Sequence, residues 1–209
     1  MSKGFSILFS VLLLLVATTV NASIVDWNCD DDGDGAIVMG TPTLTPVGDE
    51  YELTMSGTQH GQYMDPAHLA GDFTTNTELD PTVRIIQYIE NDTDFAWSDY
   101  HIAIGMNNSS LSILSTGIVA PSGWTWVITA PVAGPMPNGA GPGYVGMIDY
   151  YIGTGAPVAI GDEGDFGFKI SFIGSTAYSF STEQIPTPEP ATIGLLGLGA
   201  MGLLKRRKA

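Results

Sequence analysis

Near the start of the chain, Asp30-Asp31-Asp32-Gly33-Asp34-Gly35 concentrates carboxylates at a spacing that suits a hard cation. Asp30, Asp32 and Asp34 alternate and are followed by a glycine. In a twelve-residue calcium loop, positions 1, 3 and 5 supply oxygens and a glycine at position 6 makes the sharp turn. Position 12 is Thr41 in place of the bidentate Glu that closes such a loop, and no flanking helix is indicated. A complete helix-loop-helix calcium site is therefore excluded. Two readings remain: an Asp-rich calcium loop completed by backbone or distant oxygens, and a solvated acidic turn.

Other chemistry-bearing residues are thinner. Gly161-Asp162-Glu163-Gly164-Asp165 reads as a solvated hairpin turn before a strand, with calcium only a secondary possibility. Cys29 is the sole cysteine and forms no disulfide within the chain. Nothing adjacent offers it a base or an orienting group, so burial is expected over nucleophilic use. His60, His68 and His101 match no zinc-ligand spacing. No Gly-x-Ser-x-Gly elbow, phosphate loop or His-Glu-x-x-His helix is present, and no enzyme is expected. Trp124 and Trp126 share one strand face, whereas Tyr150 and Tyr151 point to opposite faces. Such rings stack on sugars when exposed, but a core role is favoured. Asn91-Asp92-Thr93, Asn107-Asn108-Ser109 and Asn108-Ser109-Ser110 fit the glycosylation acceptor pattern.

Charge narrows the partners. The 209 residues carry 7 Lys+Arg against 22 Asp+Glu, a formal net charge of -15. Between residues 23 and 187 only Arg84 and Lys169 are basic. Nucleic-acid binding rests on cations that neutralise phosphates, so nucleic acid is excluded as a partner. An acidic surface also disfavours anionic membranes and attracts cations. Divalent ions and neutral sugars fit better.

The elements that must position these residues read as strands. Residues 36–39, 51–56, 83–90, 100–105, 110–114, 124–130, 144–152, 166–173 and 178–181 are short β-branched and aromatic runs between turn residues. Tyr100, Ile102 and Ile104 alternate, as do Phe166, Phe168, Ile170 and Phe172, so one face of each strand packs inward. An all-β antiparallel β-sandwich, Ig-like or jelly-roll, is expected. Pro131 to Gly143 reads as a long, mobile Pro/Gly-rich connection.

Both ends carry addresses. Residues 1–22 combine Lys3, an apolar run from Phe5 to Val16 and the small-residue end Val20-Asn21-Ala22, the pattern of a secretory signal helix cleaved between Ala22 and Ser23. At the other end, Pro188-Glu189-Pro190 precedes an apolar Gly/Leu-rich segment, 191–204, and a basic tail of Lys205, Arg206, Arg207 and Lys208. Fourteen helical residues reach about 21 Å, a marginal span of a hydrocarbon core about 30 Å thick. The basic residues hold that end in the cytoplasm and leave the body, residues 23–186, outside.

This three-part ending, residues 187–209, resembles the PEP-CTERM sorting signal of Gram-negative bacteria. The resemblance implies a short hydrophobic sorting helix whose Pro-Glu-Pro motif is cut by exosortase, a membrane-embedded cysteine protease. The implied route runs through signal peptidase, an inner-membrane intermediate and release to the cell surface or extracellular matrix. By the same resemblance, a biofilm or extracellular-polysaccharide role is expected. A calcium-dependent carbohydrate-binding or adhesive module is the alternative.

Overall fold

The computed structural model describes residues 22–61, 65–107 and 110–188. Twelve strands run through them: β1 (Ile24–Asp31), β2 (Ile37–Met39), β3 (Thr43–Val47), β4 (Glu50–Gln59), β5 (Ala67–Thr75), β6 (Thr82–Asn91), β7 (Trp97–Met106), β8 (Ser110–Val119), β9 (Trp124–Pro135), β10 (Pro142–Ile152), β11 (Glu163–Ile173) and β12 (Ala177–Pro188). The expected signal helix, the sorting segment from Glu189 onward, and Asn108 and Ser109 lie outside the described residues.

The strands form two sheets of an all-β sandwich, as the alternating runs predict. One sheet has the order β1-β5-β12-β7-β10-β9; the other has β2-β4-β6-β11-β8, with β3 also on β4. All nine expected runs are strands, and β1, β3 and β5 come from stretches that had no strand assignment. One pairing departs from the antiparallel expectation. β4 and β6 run parallel, from Tyr51 opposite Val83 to Gln59 opposite Asn91. The chain between them crosses to the other sheet to make β5, and a return crossing necessarily brings β6 back in the direction of β4.

Period-2 alternation places the core between the sheets. Tyr100, Ile102 and Ile104 of β7 are fully buried, as are Phe166, Phe168 and Ile170 of β11 in the opposite sheet, with Phe172 beside them. The Phe166 ring stacks on Tyr100 at 4.1 Å between centroids and takes Tyr150 and Trp124 edge-on at 5.3 and 6.0 Å. Phe73 stacks on Phe172 and Phe180 at 5.7 and 5.0 Å, which carries the aromatic seam along the sandwich.

Most polar groups drawn into this core find partners, Gln87 Oε1 being a buried exception. Tyr100 Oη lies between the buried side-chain amides of Gln59 and Gln184, 2.7 and 2.6 Å away, with its single hydrogen donated to one of them. Asn91 is fully buried, and its Nδ2 donates to the carbonyls of Phe95 and Val158 while its Oδ1 accepts from the Thr93 amide and hydroxyl. That acceptor-pattern asparagine is therefore a fastener of the β6–β7 turn, with no amide hydrogen left for a glycan.

The Pro/Gly-rich connection is shorter than expected. β9 continues to Pro135 and β10 starts at Pro142, leaving a link that contains one 3-10 turn, Pro137–Gly139. Met136 and Pro137 lie over Gly105 and Gly143, and Ser181 Oγ donates to the Pro137 carbonyl. Glycine is required beneath this cover, since a Cβ at Gly105 would stand 2.6 Å from Pro137 Cδ.

Replacing Tyr100 by Phe keeps the ring stack and leaves two buried amides without their shared hydroxyl. A loss of about 1–3 kcal/mol in urea unfolding is expected; an unchanged midpoint would show that the bridge contributes nothing net.

Candidate functional site

The candidate site is a row of polar side chains on the outer face of the first sheet. β1 pairs antiparallel with β5 up to Asp31 opposite Leu69, which brings the next residue, Asp32, to the level of His68. On its other side His68 is opposite Glu183 of β12. Leu69 and Ala67 point into the core, so His68 between them points out. The sheet thus aligns Asp32, His68 and Glu183 across three strands.

The turn after β1 adds Asp34. Gly33 and Gly35 take positive φ values of 75° and 85°, conformations open to glycine at little cost. Asp31 Oδ1 accepts from the Gly33 amide, Asp32 Oδ1 from Asp34 and Asp34 Oδ1 from Ala36. These successive Asx turns spend one oxygen of each carboxylate on the backbone. Asp31 also accepts from the Met39 amide through Oδ2, which ties the turn to β2.

A ligand atom from each of Asp32, Asp34 and His68 lies within 4.8 Å of the others. His68 Nδ1 is 3.2 Å from Asp32 Oδ2, and their side chains are 13% and 19% exposed. His68 Nε2 is 3.4 Å from Glu183 Oε2. Of the three aspartates singled out by spacing, Asp32 and Asp34 are brought together. Asp30 is not part of the group; it stands opposite Ala70 and its Oδ1 accepts from the Asp31 amide. Spacing within one segment could not reveal His68, which arrives from a separate strand.

The three histidines do not meet. His60 pairs with Asp92 at 2.8 Å, His101 with Asp149 at 2.7 Å, and His68 with the row just described. The two basic side chains of the described body are also engaged, Lys169 with Glu50 at 2.6 Å and Arg84 with Glu52 at 3.6 Å. Both pairs are on the opposite sheet, so no Lys or Arg among the described residues neutralises the Asp turn.

The remaining candidates sort by burial. Trp124 is in the core with Nε1 donating to the Ala156 carbonyl, whereas Trp126, two residues on, is 40% exposed near the sandwich edge. Tyr150 is buried and donates to the Gly167 carbonyl; Tyr151 is exposed on the opposite face. In the second acidic segment Asp162 closes a turn with Asn91 and Ala159, and β11 begins at Glu163. Cys29 is buried, and burial, reinforced by the negative charge of Asp30, pushes its thiol from 9.0 up to about 12. It is held as a thiol at neutral pH and is no nucleophile.

β12 leads directly into the Pro-Glu-Pro segment. Beyond Gln184, which pairs with Ala67, the strand loses β5 as a neighbour and keeps only β7, with Pro186 opposite Tyr100 and Pro188 opposite Trp97. Prolines are accommodated there because one edge of the strand no longer needs amide donors. Ser98 Oγ donates to the Thr187 carbonyl and Thr187 Oγ1 to Asp99 Oδ2.

Residues 186–208 match the PEP-CTERM protein-sorting motif. The chain therefore carries the sorting signal of an exported exosortase substrate, and Pro188, Glu189 and Pro190 with the basic tail Lys205 to Lys208 lie inside the matched span. No curated protein and no solved structure gave a match.

Cys29 is expected to resist a thiol reagent in the native chain at about pH 8 and to react once urea unfolds it; rapid native labelling would contradict its burial. The same burial has a pH consequence. The folded thiol keeps its proton where the unfolded one loses it, so its contribution is complete below pH 9.0 and is lost as pH rises to about 12. Burial raises Tyr100 and Tyr150 in the same direction. The urea midpoint should fall across that interval.

Proposed function

We propose that this chain is a non-catalytic protein of the cell surface or extracellular polysaccharide matrix of a Gram-negative bacterium. Signal peptidase cuts between Ala22 and Ser23, the segment 191–204 holds the chain in the inner membrane, and exosortase cuts at Pro188-Glu189-Pro190 to release the sandwich outward.

The observation that carries this reading is the overlap of fold and address. The first three residues of the matched sorting span, Pro186 to Pro188, are the last three of β12. The body is thus joined to its address without a spacer, and what exosortase delivers is the β-sandwich itself. At the other end, the Ser23 amide donates to Asn76 Oδ1 and the Ser23 carbonyl accepts from the Asn76 amide. The folded body takes hold of the chain at the residue that follows the signal.

The rest of the body supports a binding rather than a catalytic task. The buried Cys29, Tyr100 and Tyr150 are held in their protonated forms by burial, which suits packing and not proton transfer near neutrality. Trp126, Tyr144 and Tyr151 are partly exposed, Tyr151 on the opposite face of the sheet from Trp126, which stands opposite the inward-facing Tyr150. Rings of this kind stack on neutral sugars, which an acidic protein does not repel. The alternative, a calcium-dependent carbohydrate-binding or adhesive module, rests on Asp30, Asp32 and Asp34 acting together, and Asp30 stands apart from the other two.

Replacing Glu189 and Pro190 by Ala should leave the sandwich intact and strand the chain in the membrane fraction with its basic tail, while the unaltered chain is recovered outside. Release of the variant at the unaltered rate would remove exosortase from the account.

A further inference from the structure

His68 is held in a way that an acidic surface turn alone does not require. Its Nδ1 is enclosed, makes no hydrogen bond, and faces Asp32 Oδ2 at 3.2 Å. Its Nε2 faces Glu183 Oε2 at 3.4 Å. When the ring donates from Nε2 to Glu183, the neutral imidazole turns a lone pair toward Asp32. A lone pair set against a carboxylate, with a second carboxylate close by, is repulsive, and a cation among them removes the repulsion. A carboxylate on the far nitrogen is also the usual means of orienting a metal-bound histidine.

The distances fit a small ion. With metal–ligand bonds of about 2.0–2.1 Å, the ligand atoms of a tetrahedral site stand about 3.4 Å apart. The 3.2 Å between Asp32 Oδ2 and His68 Nδ1 is close to one such edge. Asp34, exposed between Gly33 and Gly35, keeps Oδ1 on the Ala36 amide at 2.7 Å, and its second carboxylate oxygen is left to close the remaining distance from within 4.8 Å. The donor set then selects the ion. Calcium is ligated by oxygens, whereas an imidazole nitrogen with two carboxylates suits zinc and its first-row neighbours.

We propose that Asp32, Asp34 and His68 form a binding site for a divalent first-row transition ion of the zinc class, with Glu183 as the positioning residue behind the ring. The site clamps the β1–β2 turn to β5, and three protein ligands leave a fourth position to water or an outside donor. It is independent of the sorting function and stands whatever becomes of that reading.

The test is calorimetric titration of the tag-free, chelator-treated full chain with Zn2+ alone. One zinc per chain is expected. His68→Gln and Asp34→Asn should each weaken it at least about tenfold, and Glu183→Gln about 10- to 100-fold with the stoichiometry kept. Asp30→Asn should bind as the unaltered chain does, and excess Ca2+ should leave zinc in place. Absence of stoichiometric binding by the unaltered chain would overturn the proposal. Unchanged affinity in Asp34→Asn and His68→Gln, with native circular dichroism, would place the zinc elsewhere and overturn it too. Displacement of zinc by an equal concentration of calcium would overturn the choice of ion.

Discussion

Contact between β7 and β11 across the middle of the sandwich is the constraint on which the rest of the structure depends. Phe166 enters a cage of Tyr100, Trp97, Tyr150 and Trp124 that the opposite sheet supplies. Only two Lys or Arg side chains stand among 21 acids in the body, so charge pairing cannot hold the two sheets together. Apolar burial must do so, at roughly 25 cal/mol per Å² of surface removed from water. Once the inner faces are committed, period-2 alternation sends the other side chains outward. The Asp32–His68–Glu183 row is one product of that alternation, because Leu69 and Ala67 anchor β5 and so orient His68.

The parts of this architecture that were legible in the sequence share one property. In β7 and β11 the inward residues are large and apolar, so alternation is visible without knowledge of the partner strand. β5 alternates as well, with Ala67, Leu69, Gly71 and Phe73 all inward, but Ala and Gly carry too little side chain to register as a strand face. Gly71 is nonetheless required. A Cβ there would stand 2.3 Å from the Asn28 carbonyl oxygen and 2.6 Å from Phe180 Cε1. The parallel β4–β6 pairing was hidden for a different reason, since it follows from β5 crossing to the other sheet and no local pattern records that.

The candidate site was half legible on the same logic. Alternating aspartates announce a turn that gathers oxygens, and Asx turns with positive-φ glycines deliver it. What spacing could not show is which carboxylates would have company. Register decides this: β1 places Asp32 beside His68 and leaves Asp30 beside Ala70. The donor set therefore changes from three oxygens to two oxygens and a nitrogen, and the chemistry changes with it. At the other end the sorting motif was readable because its three parts are contiguous, while its fusion to β12 depended on β7 continuing past the end of β5.

That fusion makes export the central claim, and the direct measurement is intact mass with terminal peptide mapping of the protein recovered from its own host. The account predicts an extracellular chain that starts at Ser23 and ends between Pro188 and Pro190. A membrane-bound chain that still carries Lys205 to Lys208 as its final form would contradict it, since the tail would then be a lasting anchor.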